Sequence, residues 1–471
     1  MIRPIEIMEE VFWGKPGDEL DTPLLNLAAG QTLTWRDAFE HMLFIGSQGS
    51  GKTSSARTLY QAFLRQQFGG LVLCVKESQV KVFLDVCEEC GRAKDVIVFG
   101  PNEKHVFNPL EGASLSEATA LLLELAEVLS ERAQPGRTEN ETFWRQQSEM
   151  ALKNLLVLCK LVYGRYEVAG IAALFGGRAN TANQVLDPTW RQRSLLARAL
   201  DIAESRPGSD LRMAIDYFTR DFPGYDSRMQ GSVVASVCGI LEYLRRDPLA
   251  GLFGGESTFA MRDLLHAGKV CVVAMPTQGS ELGGVSPTEG RIANAILQFC
   301  FCRAATQTAR DSNVFLISDE CQETVTRELV RQLSVLREFR VATVLLTQNL
   351  AVLDARFGRA AREGILSNLK TKVFLQQHHA ETREWAAQQI GKVMREKRNP
   401  SYQWGRGGAG HGEHPREVEE YKVAPVRFAK LKPGGPKSNW IVESVMLNGG
   451  TVWLQRWHQE KPGKAGTAKP A

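Results

Sequence analysis

The 471-residue sequence contains no apolar run of about 18 residues, the least that a helix needs to span a bilayer. Its opening, Met-Ile-Arg-Pro-Ile-Glu, lacks the charged-then-apolar pattern of a secretory leader. No segment repeats. Cysteine is sparse, nine in all, and scattered through hydrophobic stretches, as with Cys74 in Leu-Val-Leu-Cys-Val and Cys271 in Val-Cys-Val-Val. Thiols so placed behave as small, reduced core side chains. Cys87-x-x-Cys90 is half of a zinc site, but no second pair stands at a suitable spacing, so no metal is expected there. The expectation is a soluble, cytoplasmic polypeptide with no membrane span of its own, attached to a membrane only through a partner.

What is present is ordinary in bulk and uneven in distribution. Charged residues at 23% and hydrophobic ones at 43% describe a globular protein long enough for two or three domains. The formal charge is +4. Residues 391–471 hold 15 Lys and Arg against 7 Asp and Glu, or +8, which leaves 42 against 46, or −4, for everything before them. The carboxy-terminal end is the basic one, and its last stretch, 461–471, reads as a flexible basic tail rich in Lys, Gly, Ala and Pro.

The most informative segment is Gly46-Ser-Gln-Gly-Ser-Gly51-Lys52-Thr53, a full G-x-x-x-x-G-K-[ST] phosphate loop. It follows the strand-like run 41–45 and precedes a helix-compatible stretch, 56–65, which is the context the motif requires. Gly46, Gly49 and Gly51 let the backbone turn so that successive N–H groups face a nucleotide's phosphates at the positive end of a helix. Lys52 supplies a point charge to the β and γ phosphates, and the Thr53 hydroxyl is a magnesium ligand. Ser50 and Ser54 complete the nucleotide-binding segment, so ATP and Mg2+ are the expected cofactors.

From the phosphate loop onward, apolar β-rich runs alternate with helical patterns, the signature of a parallel sheet with crossover helices. The predicted strands are 41–45, 70–75, 95–99, 269–275, Val314–Ser318, 342–346 and 371–375, and their continuous hydrophobicity suits strands covered on both faces. Residues 112–260 interrupt them with helical patterning alone. Within it, Leu152, Leu155, Leu156 and Cys159 form an i, i+3, i+4, i+7 stripe, and Pro-Gly pairs at 135, 207 and 223 separate helices. The fold class is therefore α/β: a RecA-like P-loop NTPase domain in two parts, 1–111 and 261–400, with an inserted all-helical domain at 112–260. Residues 401–460 read as a loop and a β-hairpin. The glycine-rich run 405–412 is the flexible loop, and 439–445 with 451–457 form the hairpin around Asn448-Gly449-Gly450.

Two further strands end in polar residues. Val314–Ser318 runs into Asp319-Glu320, placing both carboxylates at the carboxyl edge of a parallel sheet, where ligands bind in such folds. Asp319 suits the magnesium shell and Glu320 the polarising of an attacking water, although a lone Asp there also serves to cap the next helix. The strand 342–346 leads to Thr347-Gln348, and an amide at that edge can bond both a γ phosphate and the lytic water, or be tied to local backbone. Between them lie Arg337 and Arg340. Phosphoryl transfer accumulates charge that an arginine stabilises, often one supplied by a neighbouring subunit, and either residue suits that role or a solvated helix end equally.

In this order, these pieces resemble the FtsK/HerA superfamily of DNA-pumping ATPases and, within it, the conjugative type IV coupling proteins. The similarity rests on Gly46 to Thr53, Val98-Phe-Gly-Pro101 followed by Phe107-Asn-Pro-Leu110, Phe143-Trp144 opening a helix, Asp319-Glu320, the stretch around Arg337, Thr347-Gln348 and Phe428-x-x-Leu431. It spans most of residues 35–435. The resemblance implies that Lys52 and Thr53 bind nucleotide, Asp319 holds metal, Glu320 activates water and Gln348 senses phosphate. It prefers Arg337, eleven residues before Gln348, to Arg340 as the trans-acting arginine. It further implies a hexameric homo-oligomeric ring threading DNA, with a relaxase and secretion-channel proteins as partners and a peripheral place at the inner membrane. Family members commonly begin with a membrane-spanning pair that is not seen here, and Cys321 follows the acidic pair where a non-thiol residue is more usual. Arg356, Arg359 and Arg362 are candidate DNA contacts or a solvated helical face, while His378 and His379 suit the surface and Trp385 the core. Two other readings compete with conjugation: a soluble HerA-like translocase or helicase in repair or defence, and a nucleotide-dependent protein adaptor or switch.

Overall fold

The computed structural model describes residues 7–8, 11–13, 20–27, 30–130, 140–278, 284–307, 312–405 and 408–459. The strands in chain order are β1 (Ile7–Met8), β2 (Val11–Trp13), β3 (Pro23–Leu27), β4 (Thr32–Thr34), β5 (Met42–Ile45), β6 (Gly69–Leu73), β7 (Val96–Phe99), β8 (Val270–Val273), β9 (Val314–Ser318), β10 (Val341–Thr347), β11 (Thr371–Phe374), β12 (Lys392–Gly405), β13 (Gly408–Tyr421), β14 (Ile441–Asn448) and β15 (Thr451–His458). All seven strands predicted for the parallel sheet are among them. The chain forms two compact units. One comprises Met1–Gln66, Thr343–Asp354 and Arg362–Ala471, the other Gln67–Ala342 and Ala355–Ala361.

In the first unit, β5 lies between β10 and β11, parallel to both, with Phe44 opposite Leu346 on one side and Val373 on the other. Every residue of β5 and β11 is buried, as expected of strands covered on both faces. The carboxy-terminal hairpin extends this layer: β14 runs antiparallel to β11, and β15 antiparallel to β14. Gly449 and Gly450 turn the hairpin with φ of 54° and 86°, values that a side chain disfavours. A small antiparallel sheet, β2-β3-β4, for which the sequence carried no prediction, precedes the phosphate loop.

Pairing between β12 and β13 continues antiparallel to Gly405 opposite Gly408. This corrects the expectation of a flexible loop over 405–412, apart from 406–407, which lie outside the described residues. Glycines carry no alternation of side chains, so their pattern cannot distinguish a strand from a loop. The expected basic tail, 461–471, also lies outside the described residues.

In the second unit, four strands pair in the order β9-β6-β8-β7, all parallel. Between Leu115 and His266 the elements are helical throughout among the described residues, and Leu152, Leu155, Leu156 and Cys159 on the helix Asn140–Tyr163 are fully buried. Among the described residues, no helix is long and apolar enough to cross a membrane.

Candidate nucleotide-binding site

The phosphate loop connects the buried strand β5 to the helix Lys52–Arg65. Two glycines are dictated by geometry. Gly51 starts the helix from the left-handed region at φ 85°, and a Cβ there would stand 2.5 Å from Val442. A Cβ on Gly46 would come within 2.5 Å of the Ser50 hydroxyl and 2.8 Å of Leu375. Ser47 N–H donates to the Gln376 carbonyl at 2.8 Å, fixing the entry to the loop against the end of β11.

Lys52 Nζ, with only 8% of the residue exposed, donates to the carbonyls of Gly46 at 2.8 Å and Ser47 at 3.2 Å. The ammonium is thereby turned over the loop. Thr53 is half-buried in the first turn, and Ser54 Oγ accepts a bond from Gln459 Nε2 at 3.0 Å. The Ser50 hydroxyl is buried and has no hydrogen-bond partner within the protein, which is costly unless a ligand supplies one. An orphaned hydroxyl, a lysine over the loop and a loop too tight for side chains fit the phosphates of a nucleotide. Thr53 Oγ1 is a hard oxygen donor of the kind magnesium takes.

In the second unit, the buried strand β9 ends at Asp319 and Glu320, each 7% exposed. Glu320 adopts φ 57° and ψ 56°, a left-handed conformation that strains a residue with a Cβ. Arg337, in the last turn of the helix Arg327–Glu338, is exposed. Arg340 is a turn residue at φ 56° whose carbonyl accepts the Val314 N–H at 3.2 Å. In the first unit, Gln348 follows β10, and its carbonyl accepts a bond from Gln377 Nε2 at 2.8 Å.

Among solved structures, the bacterial conjugative coupling protein TrwBdeltaN70 in its unbound form superposes with a TM-score of 0.64 at 13% identity, over 91% of this chain and 87% of that one. The fold is that of a conjugative coupling protein. TrwB in complex with ADP and Mg2+ matches with a TM-score of 0.60 at 12% identity, over 97% of this chain and 95% of that one. VirB4 of Thermoanaerobacter pseudethanolicus matches with 0.52 at 12%, over 93% and 95%. A family model described as the TraM recognition site of TraD and TraG matches residues 313–427. No curated protein matches the chain. The RecA-like fold with its helical insertion thus stands on backbone shape, and the resemblance to coupling proteins stands on that shape together with the family match over residues 313–427.

Within this coupling-protein fold, several other residues take defined places. Arg362 is 2% exposed and pairs with Asp354, with Glu363 at 2.7 Å and with Glu381 at 3.8 Å, so its charge is committed internally. That removes it from the candidate DNA contacts. Arg359 is exposed and Arg356 half-buried. His379 caps the helix Ala380–Ile390 by accepting from the Thr382 N–H, His378 is exposed, and Trp385 packs edge-on against Phe374 at 5.7 Å. Cys87 is fully buried, and burial pushes its thiol up to about 12. Cys321 is likewise buried.

Two residues beside the phosphate loop were not anticipated. Gln377, 3% exposed, accepts from the Ser47 hydroxyl at 3.0 Å while its amide reaches the Gln348 carbonyl. It stands just past the apolar strand β11, so the same signal of a polar residue at a strand's carboxyl end would have found it. Gln459 reaches Ser54 from the end of β15 and accepts from the Gly435 N–H at 2.8 Å. Nothing local in the sequence marks it.

Proposed function

We propose that this protein is an ATP-hydrolysing motor that moves DNA, or a DNA–protein conjugate, toward a type IV secretion channel. The observation that carries the reading is the phosphate loop, with its lysine, tight glycines and orphaned Ser50 hydroxyl, in a chain that follows the coupling-protein fold along nine tenths of its length. In this reading Gly46, Gly49, Ser50, Gly51, Lys52, Thr53 and Ser54 bind ATP. Thr53 and Asp319 hold Mg2+, which neutralises phosphate charge when bound.

Glu320 orients and polarises the attacking water, and Gln348 bonds the γ phosphate and that water. Arg337, exposed at a helix end, acts on nucleotide held by a neighbouring copy. That role requires a homo-oligomeric ring, with six copies expected. DNA is the cargo. Segment 313–427 meets a relaxase or another protein of the DNA-processing complex, in keeping with its match to a TraM recognition site. Attachment at the inner membrane runs through partners.

The test is ATP hydrolysis by the purified chain with and without single- and double-stranded DNA, while the size of the assembly is followed. Stimulation by DNA together with ring formation is expected. Hydrolysis indifferent to DNA in a protein that stays monomeric would leave a nucleotide-dependent switch instead.

A further inference from the structure

The turn that follows β9 is held at several points. The Ser318 and Thr324 hydroxyls bond to each other, and Arg291 pairs with Glu323 at 2.5 Å. Gln298, buried on the helix Pro287–Gln307, donates to the Thr324 carbonyl at 3.4 Å and accepts from the Thr326 N–H at 3.1 Å. Glu323 N–H closes the turn on the Glu320 carbonyl at 2.8 Å. These contacts over-determine the backbone, which is how a left-handed Glu320 persists without being a glycine.

The direction of the Glu320 carboxylate is a matter for its side-chain partners, and one of them lies in the same turn. Gln322, two residues on, donates from Nε2 to Glu320 Oε2 at 2.9 Å, and both residues are 7% exposed. A neutral amide that meets a buried carboxylate supplies a directed hydrogen bond and brings no positive charge of its own. A lysine or arginine at that position would neutralise the carboxylate. An apolar side chain would take that hydrogen bond away.

We infer that Gln322 is a positioning residue that sets the orientation in which the Glu320 carboxylate meets the attacking water. This rests on the reading of Glu320 as the water activator. A base turned away from its water loses rate without loss of substrate binding, because the phosphates are gripped elsewhere.

The experiment measures kcat, nucleotide affinity and thermal stability of the full chain carrying Gln322→Met, which keeps length and volume but removes the donor. Gln322→Glu serves as a second variant of the same shape that sets a like charge against Glu320. Both are expected to lower kcat by about tenfold or more while nucleotide affinity moves by less than about twofold. Combined with Glu320→Gln, Gln322→Met is expected to slow the residual single-turnover rate by less than about twofold, since it acts through a carboxylate already removed. Wild-type kcat in both Gln322 variants, or an equal loss of kcat, affinity and melting temperature, would overturn the inference and leave the role of Glu320 untouched. If Glu320→Gln alone hydrolyses at the wild-type rate, the reading beneath the inference fails first.

Discussion

The Ser47 hydroxyl donates to Gln377 Oε1 at 3.0 Å, joining the phosphate loop to a residue 330 positions later in the chain. The bond continues a short chain of contacts: the Gln377 amide reaches the Gln348 carbonyl, and the His378 N–H donates to Ser47 Oγ at 2.9 Å. One buried amide thus braces two segments assigned to phosphate recognition. Gln377→Ala is expected to raise the nucleotide Kd by about tenfold, the equivalent of ~1.4 kcal/mol. Titration with a fluorescent ATP analogue reads this directly, and unchanged affinity would show that the loop holds its shape without the amide.

Lys52→Ala removes the ammonium turned over the loop. The expected loss is on the order of a hundredfold in ATP affinity, about 2.7 kcal/mol for a charge-assisted contact to phosphate. Calorimetric titration of the variant checks it. Normal binding would mean that the triphosphate sits elsewhere.

Glu320→Gln keeps the shape of the side chain and discards its basicity. ATP should still bind, while turnover falls on the order of 10²- to 10⁴-fold. A variant retaining the wild-type steady-state rate would remove Glu320 from the chemistry.

Arg337→Ala tests assembly as well as chemistry. The side chain is exposed at the end of its helix, as suits a group acting outside its own chain. The variant alone should be inactive, and mixing it with Glu320→Gln subunits should restore part of the hydrolysis, because some sites then combine an intact glutamate with an intact neighbouring arginine. Mixtures that remain as inactive as the separate variants would argue against action in trans.

Glu117 offers a test of stability against pH. Backbone N–H donation from Ser114 at 2.8 Å, with Gln307 and Arg303 also bonding the carboxylate, holds its pKa at about 2 against an ordinary value of 4.5. A lowered carboxylate pKa stabilises the fold above the unfolded-state value, and that contribution is lost as pH falls from about 4.5 toward about 2. Glu117→Gln should therefore cost on the order of 1 kcal/mol near neutral pH, because solvent screens these exposed contacts. The gap to wild type should narrow steadily below about pH 4.5 in urea unfolding measured across the acid range. A penalty constant with pH would show that shape, not charge, matters there.

The sequence by itself determined the local events. The seven mostly apolar runs became strands because their near-continuous hydrophobicity suits a sheet covered on both faces. The stripe Leu152, Leu155, Leu156, Cys159 went to the core because its spacing follows the helical period. Gly51 begins its helix in a conformation that glycine alone adopts freely. Each of these depends on neighbours within a few residues, so each could be read in line.

Tertiary structure decided what depends on distant partners. The glycine-rich segment that pairs as part of β12 and β13 carries no side-chain alternation to betray a strand. Arg362 looked like a surface charge until Asp354 and Glu381 enclosed it. Gln377 gained its place beside the phosphate loop only when β11 was laid next to β5, and Gln459 only when the hairpin β14–β15 extended that layer. Pairing across hundreds of residues is fixed by the burial of whole faces. A single polar residue carried into contact by that burial leaves no mark in its own neighbourhood.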